Sequence, residues 1–379
     1  MRTLFHSIKH LFTKVTAPSL KGSGWGMVCP IIILFFILHS SFFISCSSEQ
    51  VEPEVKQGTA IAFSGNMMEE EVTRAGSTPL ETYTTSFRVW AFKNMDDGYP
   101  TYQTVMPEYR VRYADNSSSA TNSSGWEYIL TAYPDQTPKY WDMDAKAYRF
   151  FAVTGGTAVT GKKANENDED YSSYQASFSA DATNAELTPY YSKLWFSTIN
   201  DGEYGQPVTL QFMQPFVKVR FMITLADPSI PLLLEEDDFR PTTKGQRIAK
   251  KANVTITYPI KGNETTEQVK ITPDYTSQSL SSLNRRWTEA TTTPPVAEDH
   301  YWETLVPATN QGSYTYKVRV DGEEKSCVVP EQYMEWLPGY SYTYIFKVNG
   351  DGGVELTSVR TSFADWKTGG DKEYILYNW

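Results

Sequence analysis

Ser86-Phe87-Arg88-Val89-Trp90-Ala91-Phe92 is the stretch that decides the fold. Side chains alternate across an extended strand. Phe87, Val89 and Ala91 therefore share one face, and Trp90 and Phe92 share the other. Working outward, Lys139-Tyr140-Trp141 leads through a turn to a second strong strand, Tyr148-Arg149-Phe150-Phe151-Ala152-Val153. Tyr109-Arg110-Val111-Arg112-Tyr113 and Trp126-Glu127-Tyr128-Ile129-Leu130 flank an Asn/Ser-rich run over residues 115–125. Strands resume at once beyond it, so it reads as a long hairpin loop rather than a linker. Upstream, Thr59-Ala60-Ile61-Ala62-Phe63-Ser64 puts Ile61 and Phe63 on one face of a half-buried strand. Residues 66–82 are polar and acidic and read as a loop.

Downstream the pattern persists. Residues 161–170 form a polar, acidic loop, and the chain turns sharply around Asn200-Asp201-Gly202. Val208–Phe212 and Phe216–Leu225 follow as apolar strands, then a Pro- and acid-rich excursion over residues 227–246 that is an alternative linker. Val254–Tyr258, Val269–Ile271 and two closing hairpins come next. One hairpin turns at Asp321-Gly322, a dipeptide suited to a type I′ turn. The other joins Ser341–Val348 to Val354–Val359, and Glu373-Tyr374-Ile375-Leu376-Tyr377 is the last strand. Lys244–Ala252 is the best short helix candidate. The expectation is an all-β chain.

The beginning of the chain carries different signals. Residues 1–45 contain Arg2, Lys9, Lys14 and Lys21, no acidic residue, and the apolar run Ile31–Leu38. A basic stretch before such a run is the signature of a secretory signal. Met27 is an alternative start, although it would leave no basic residue ahead of the run. Phe43-Ile44-Ser45-Cys46 resembles a bacterial lipobox, with a small residue before the cysteine and a polar tether behind it. Acyl chains on Cys46 would give stable membrane anchoring, since each buried methylene contributes about 0.8 kcal/mol.

The whole chain has a net charge of −11, and the leader holds only basic residues, so the remainder is more acidic still. That argues against nucleic acid as a partner. The cysteines are Cys29, Cys46 and Cys327, so acylation of Cys46 leaves no intramolecular disulfide after export. Of four histidines only His300 lies beyond the leader, which disfavours zinc sites built on several His. Asn165–Asp170 lacks the glycine and terminal glutamate of an EF-hand loop. Asp142/Asp144 and Glu235–Asp238 are adjacent carboxylates of the kind usually found solvated on loops. No Gly-x-Ser-x-Gly or His-Glu-x-x-His motif occurs. The reading is therefore of a non-enzyme that needs no metal and no cofactor.

Several separated pieces, in this order, resemble the fimbrillin-like (Mfa-like) proteins of type V fimbriae. They are the lipobox at Cys46, Ile61-Ala62-Phe63, and Thr73-Arg74-Ala75 ahead of Phe87–Phe92. Tyr140-Trp141 before Tyr148–Ala152 follows, then Leu210–Gln214 before Val217–Phe221, and finally Leu337-Pro338-Gly339-Tyr340 with Trp366. The resemblance implies two β-sandwich domains of transthyretin-like topology and delivery to the outer membrane and cell surface. With the leader as a signal peptide over residues 1–45 and a tether and candidate propeptide over 46–74, the sharp turn at Asn200–Gly205 sets the expected domains at 75–203 and 204–379. In that family an Arg-specific protease removes an N-terminal segment, and a strand donated by another subunit fills the vacated groove. Carried onto this chain, cleavage falls between Arg74 and Ala75 and releases Cys46 together with the strand of Ile61 and Phe63. The segment Tyr374, Ile375, Leu376 and Tyr377 is a donor candidate. The implied partners are other fimbrial subunits, the outer membrane through the lipid, and a host or bacterial surface ligand. The alternative is a tethered, glycan-binding surface lipoprotein that does not polymerise, suggested by an aromatic content of 14%.

Overall fold

Nearly every element among the described residues is a strand. The computed structural model describes residues 57–68, 79–226, 249–274, 284–287, 300–310, 312–320, 323–363 and 374–378. In chain order the first strands are β1 (Gln57–Ala60), β2 (Phe63–Met67), β3 (Ser86–Asn94), β4 (Gln103–Tyr113), β5 (Trp126–Glu127), β6 (Tyr140–Asp142) and β7 (Ala147–Val153). Next are β8 (Ala158–Lys162), β9 (Ser173–Asp181), β10 (Tyr191–Ser192), β11 (Trp195–Thr198), β12 (Val208–Met213), β13 (Phe216–Leu225), β14 (Lys251–Pro259) and β15 (Gln268–Asp274). The last are β16 (Asn284–Trp287), β17 (His300–Pro307), β18 (Tyr314–Val320), β19 (Glu323–Val329), β20 (Tyr340–Val348), β21 (Val354–Phe363) and β22 (Tyr374–Asn378).

The largest sheet runs β2-β12-β10-β7-β3-β4-β5, with β11 also paired to β7. Its two central strands are apolar on both faces because both faces are covered. Phe87, Val89 and Ala91 of β3 enter one core with Tyr148, Phe150 and Ala152 of β7. Trp90 and Phe92 enter another with Phe151 and Val153. The sheet curls around the first core. Phe63, at one end of the sheet, bridges to Asn122, just before β5 at the other end. The second core lies between this sheet and the sheet β15-β14-β9-β8, which contributes Ala176, Ala180, Val254, Ile256 and Tyr258. There Phe151 stacks on Tyr258 with ring centroids 4.1 Å apart.

A third core belongs to the six-stranded sheet β16-β17-β13-β20-β21-β22 and the hairpin β18-β19. Val217, Val219, Phe221 and Ile223 of β13 meet Tyr314, Tyr316, Tyr344 and Phe346 there. The chain is thus an all-β protein of packed sheets.

Some expectations change on contact with the structure. Residues on both sides of the 203/204 position share sheets, since β12 joins β2 and β10, and β14 joins β9. Lys251 and Ala252 open β14 and are not helical, because their backbone pairs with Asp181 and Ala180. Asn66 and Met67 extend β2 instead of starting a loop, and Leu80–Thr82 is a 3-10 turn. The stretch Thr59–Ser64 is not one strand. It breaks at Ile61-Ala62, where the chain leaves its pairing with β6 and takes up pairing with β12.

Candidate functional site

The first strand and its groove form the candidate site. β2 is an edge strand and runs parallel to β12, with Phe63 opposite Val208 and Met67 opposite Phe212. Hydrogen bonds continue beyond the ladder at both ends. The Val208 N–H donates to the Ala62 carbonyl at 2.8 Å, and the Met68 N–H to the Phe212 carbonyl at 2.8 Å. The Ile61 N–H donates to the Lys139 carbonyl at 2.8 Å, and the Tyr128 hydroxyl donates to the Ile61 carbonyl at 2.9 Å. Ser64 and Thr209 meet hydroxyl to hydroxyl at 2.8 Å.

The strand is buried by its side chains as well. Ile61 and Phe63 are fully buried, and Met67 nearly so. The Phe63 ring meets Phe87, Tyr128 and Phe150 edge-on at 6.3, 5.8 and 6.0 Å. Each such side chain contributes about 1.5–3 kcal/mol by its burial. Gly65 is small because Leu80 lies against it. A Cβ at that position would sit 2.6 Å from Leu80 Cδ2. An edge strand with alternate side chains seated in a core is the arrangement that another extended peptide can copy.

The far wall of the groove is fixed by a buried carboxylate that the sequence did not advertise. Glu127 accepts the Tyr128 and Ile129 N–H groups, each at 2.7 Å, and the Thr121, Ser117 and Ser119 hydroxyls. Burial alone would push its pKa up. The hydroxyl and backbone donors outweigh that and hold it below the ordinary value of 4.5. Burial likewise pushes the Tyr128 hydroxyl up, so it remains a donor at neutral pH.

The predicted residues fall as follows. Ile61 and Phe63 are brought together in the groove. Cys46, Arg74 and Ala75 lie outside the described residues. Tyr374, Ile375, Leu376 and Tyr377 lie in β22, an edge strand paired with β21, in a different sheet from β2. Asp142 is not poised for acid-base work with Asp144. It pairs with Lys93 and caps the Asp144 N–H at 3.0 Å. Asp168 is spent on Asn165, whose side-chain amide donates to it at 2.8 Å. His300 opens β17, and Glu235–Asp238 lie outside the described residues. Among the described residues, no three His, Cys, Asp or Glu side chains are grouped to hold a metal ion.

Two buried cations also escaped the sequence reading. Arg149 lies between the Tyr99 and Phe196 rings and donates to the Gly262 carbonyl at 2.7 Å and to Asn94. Burial lowers its pKa to about 10. Lys250 donates to Thr304 and, at 3.0 Å, to the Leu305 carbonyl, and burial lowers its pKa to about 8.

No protein-family model matches the chain, and no curated protein matches it in sequence. Solved structures do. A fimbrial protein from Bacteroides vulgatus is similar over 84% of this chain and 100% of its own, with a TM-score of 0.40 and 11% identity. A cell-adhesion protein from Bacteroides uniformis is similar over 80% of this chain and 98% of its own, with a TM-score of 0.33 and 13% identity. The fimbrial anchor protein Mfa2 from Porphyromonas gingivalis is similar over 84% and 100%, with a TM-score of 0.30 and 8% identity. The structures named are those of fimbrial and cell-adhesion proteins.

Proposed function

We propose that this chain is a structural, adhesive subunit of a cell-surface fimbria. In this reading it is exported as an outer-membrane lipoprotein through Cys46. Release of residues 46–74 after Arg74 then opens the groove of β2 to a strand from another subunit. One observation carries the reading. β2 is deeply buried through Phe63 and Met67, as is Ile61 just before it, yet β2 is an edge strand, and its covalent link onward runs through the segment that contains Arg74. Cutting that link leaves the strand held by non-covalent contacts alone, and its loss exposes the β12 edge together with an apolar trough. Tyr374–Tyr377, already on a sheet edge, remains the donor candidate. The same proposal divides the chain into domains over 75–203 and 204–379, with β12 and β14 of the second pairing into the sheets of the first.

A reversible lock tests it. Ser64 and Thr209 are register partners with touching side chains, so Ser64→Cys/Thr209→Cys should form a disulfide. After arginine-specific proteolysis, the oxidised double variant should keep residues 46–74 and stay monomeric. The reduced form should lose them and bind a peptide spanning residues 371–379 or assemble into polymers that resist dilution. Equal assembly of the two forms, or no assembly of either, would sink the proposal.

A further inference from the structure

We infer that the face where the β15 edge meets the loop before β20 is a binding site for a neutral oligosaccharide. A cleft of about 580 Å³ opens there, within the range of about 300–1,000 Å³ typical of small-ligand sites. Its walls come from β10, β12, β15 and the segments around residues 308–310 and 335–340. Met68, from the segment proposed to be released, is one of its lining residues. A second depression of about 220 Å³ adjoins it and shares Glu335, Leu337 and Tyr340 as a common rim.

The chemistry of the lining selects the ligand. Lys193 and Lys270 are balanced by Glu267 and Glu335, so the cleft has no net charge to offer an anion or a cation. The four charged groups and the Asn310 amide supply both donors and acceptors, as vicinal hydroxyls require. Glu267 is fixed in place, accepting the Leu194 N–H at 2.8 Å. The apolar part joins an aromatic ring to branched aliphatic surface. Tyr340 is half-buried, and Val269 and Leu337 are exposed at 37% and 46%. Tyr342 and Tyr340 lie 6.4 Å apart across the shared rim, giving aromatic surface on both sides of it. An amphipathic ring presents an apolar face to such side chains while its polar groups reach the rim.

Tyr191 lies under the floor of the cleft and is fully buried. Two depressions joined over a narrow rim fit a linear sugar of several units better than a monosaccharide.

The test uses the whole chain in detergent and a panel of neutral hexose tetrasaccharides, followed by saturation-transfer NMR and calorimetry. At least one tetrasaccharide should bind, and its parent monosaccharide should bind at least tenfold more weakly. Tyr340→Ala and Glu335→Gln should each weaken binding about tenfold, whereas Tyr340→Phe should retain it. Thermal melts of each variant check that folding is intact. The inference is overturned if no tetrasaccharide binds at millimolar concentration, if Tyr340→Ala binds as the parent does, or if only an extended apolar peptide binds. None of these outcomes depends on cleavage after Arg74 or on polymerisation, so the site and the fimbrial reading fail separately.

Discussion

The Tyr128 hydroxyl donates to the Ile61 carbonyl at 2.9 Å and accepts the Lys139 N–H at 3.1 Å. One side chain thereby ties the first strand to the wall of its groove. Tyr128→Phe leaves the ring in place and removes that tie. It should cost about 1–3 kcal/mol, the penalty of leaving a buried partner unmade. Amide exchange over residues 61–67 should quicken more than exchange in β20. Uniform quickening across both would show that the bond does not act locally on the first strand.

Phe63 is fully buried against three aromatic rings. Phe63→Ala should lower stability by about 3–5 kcal/mol, the usual loss for a large core aromatic. In the fimbrial reading the same variant should also speed release of residues 46–74 after proteolysis, because the leaving strand is held less tightly. Denaturant titration and a time course of fragment loss measure the two effects.

Glu127 gives a pH dependence on the acid side. Its pKa is held below the ordinary 4.5 by its donors, against the opposing effect of burial. Its contribution to stability is therefore present above that value and is lost as pH falls through the lower, folded-state value. Glu127→Gln should cost about 1–3 kcal/mol at pH 7, because the amide NH₂ faces groups that are themselves donors. The gap between the variant and the parent should shrink as pH drops from 5 to 3. A gap that stays constant would mean the carboxylate charge is not what the donors hold.

Lys250 works at the other end of the scale. Burial lowers its pKa from 10.5 to about 8, with Asp181 acting weakly in the opposite sense. Between these values the unfolded chain holds a proton that the folded chain gives up. Stability should therefore rise with pH across that window, by at most about 3 kcal/mol. Lys250→Met should abolish this rise while leaving other titrations in place. Denaturation midpoints for both proteins at pH 7.5 and pH 10 decide it, and parallel slopes would count against the assignment.

Much of the architecture could be read from side-chain alternation where the side chains are large. Phe87, Val89 and Ala91 do part from Trp90 and Phe92, and the two sets enter separate cores. β9 went unseen because its inward residues, Ala176 and Ala180, are small and its sequence is rich in serine. Periodicity carries little signal without bulk. The residues of the first strand were legible, but its break at Ile61-Ala62 was not, since a change of pairing partner is a tertiary event. The oligosaccharide cleft was hidden for the same reason. Its lining comes from Met68, β10, β12, β15 and the loops after β17 and before β20, and no local motif unites them.

The parallel pairing of β2 with β12 also bears on how the chain reaches its native state. Ser64 and Thr209 touch at a sequence separation of 145, and β13 pairs in the same parallel sense with β20. Contacts so distant along the chain make folding slow, because long loops must close before any pairing is rewarded. In the fimbrial reading, with the chain exported amino-terminus first, β2 would emerge long before β12 arrives. During that interval an apolar strand is exposed without its mate, so productive biogenesis calls for a holding factor or for transport faster than self-association.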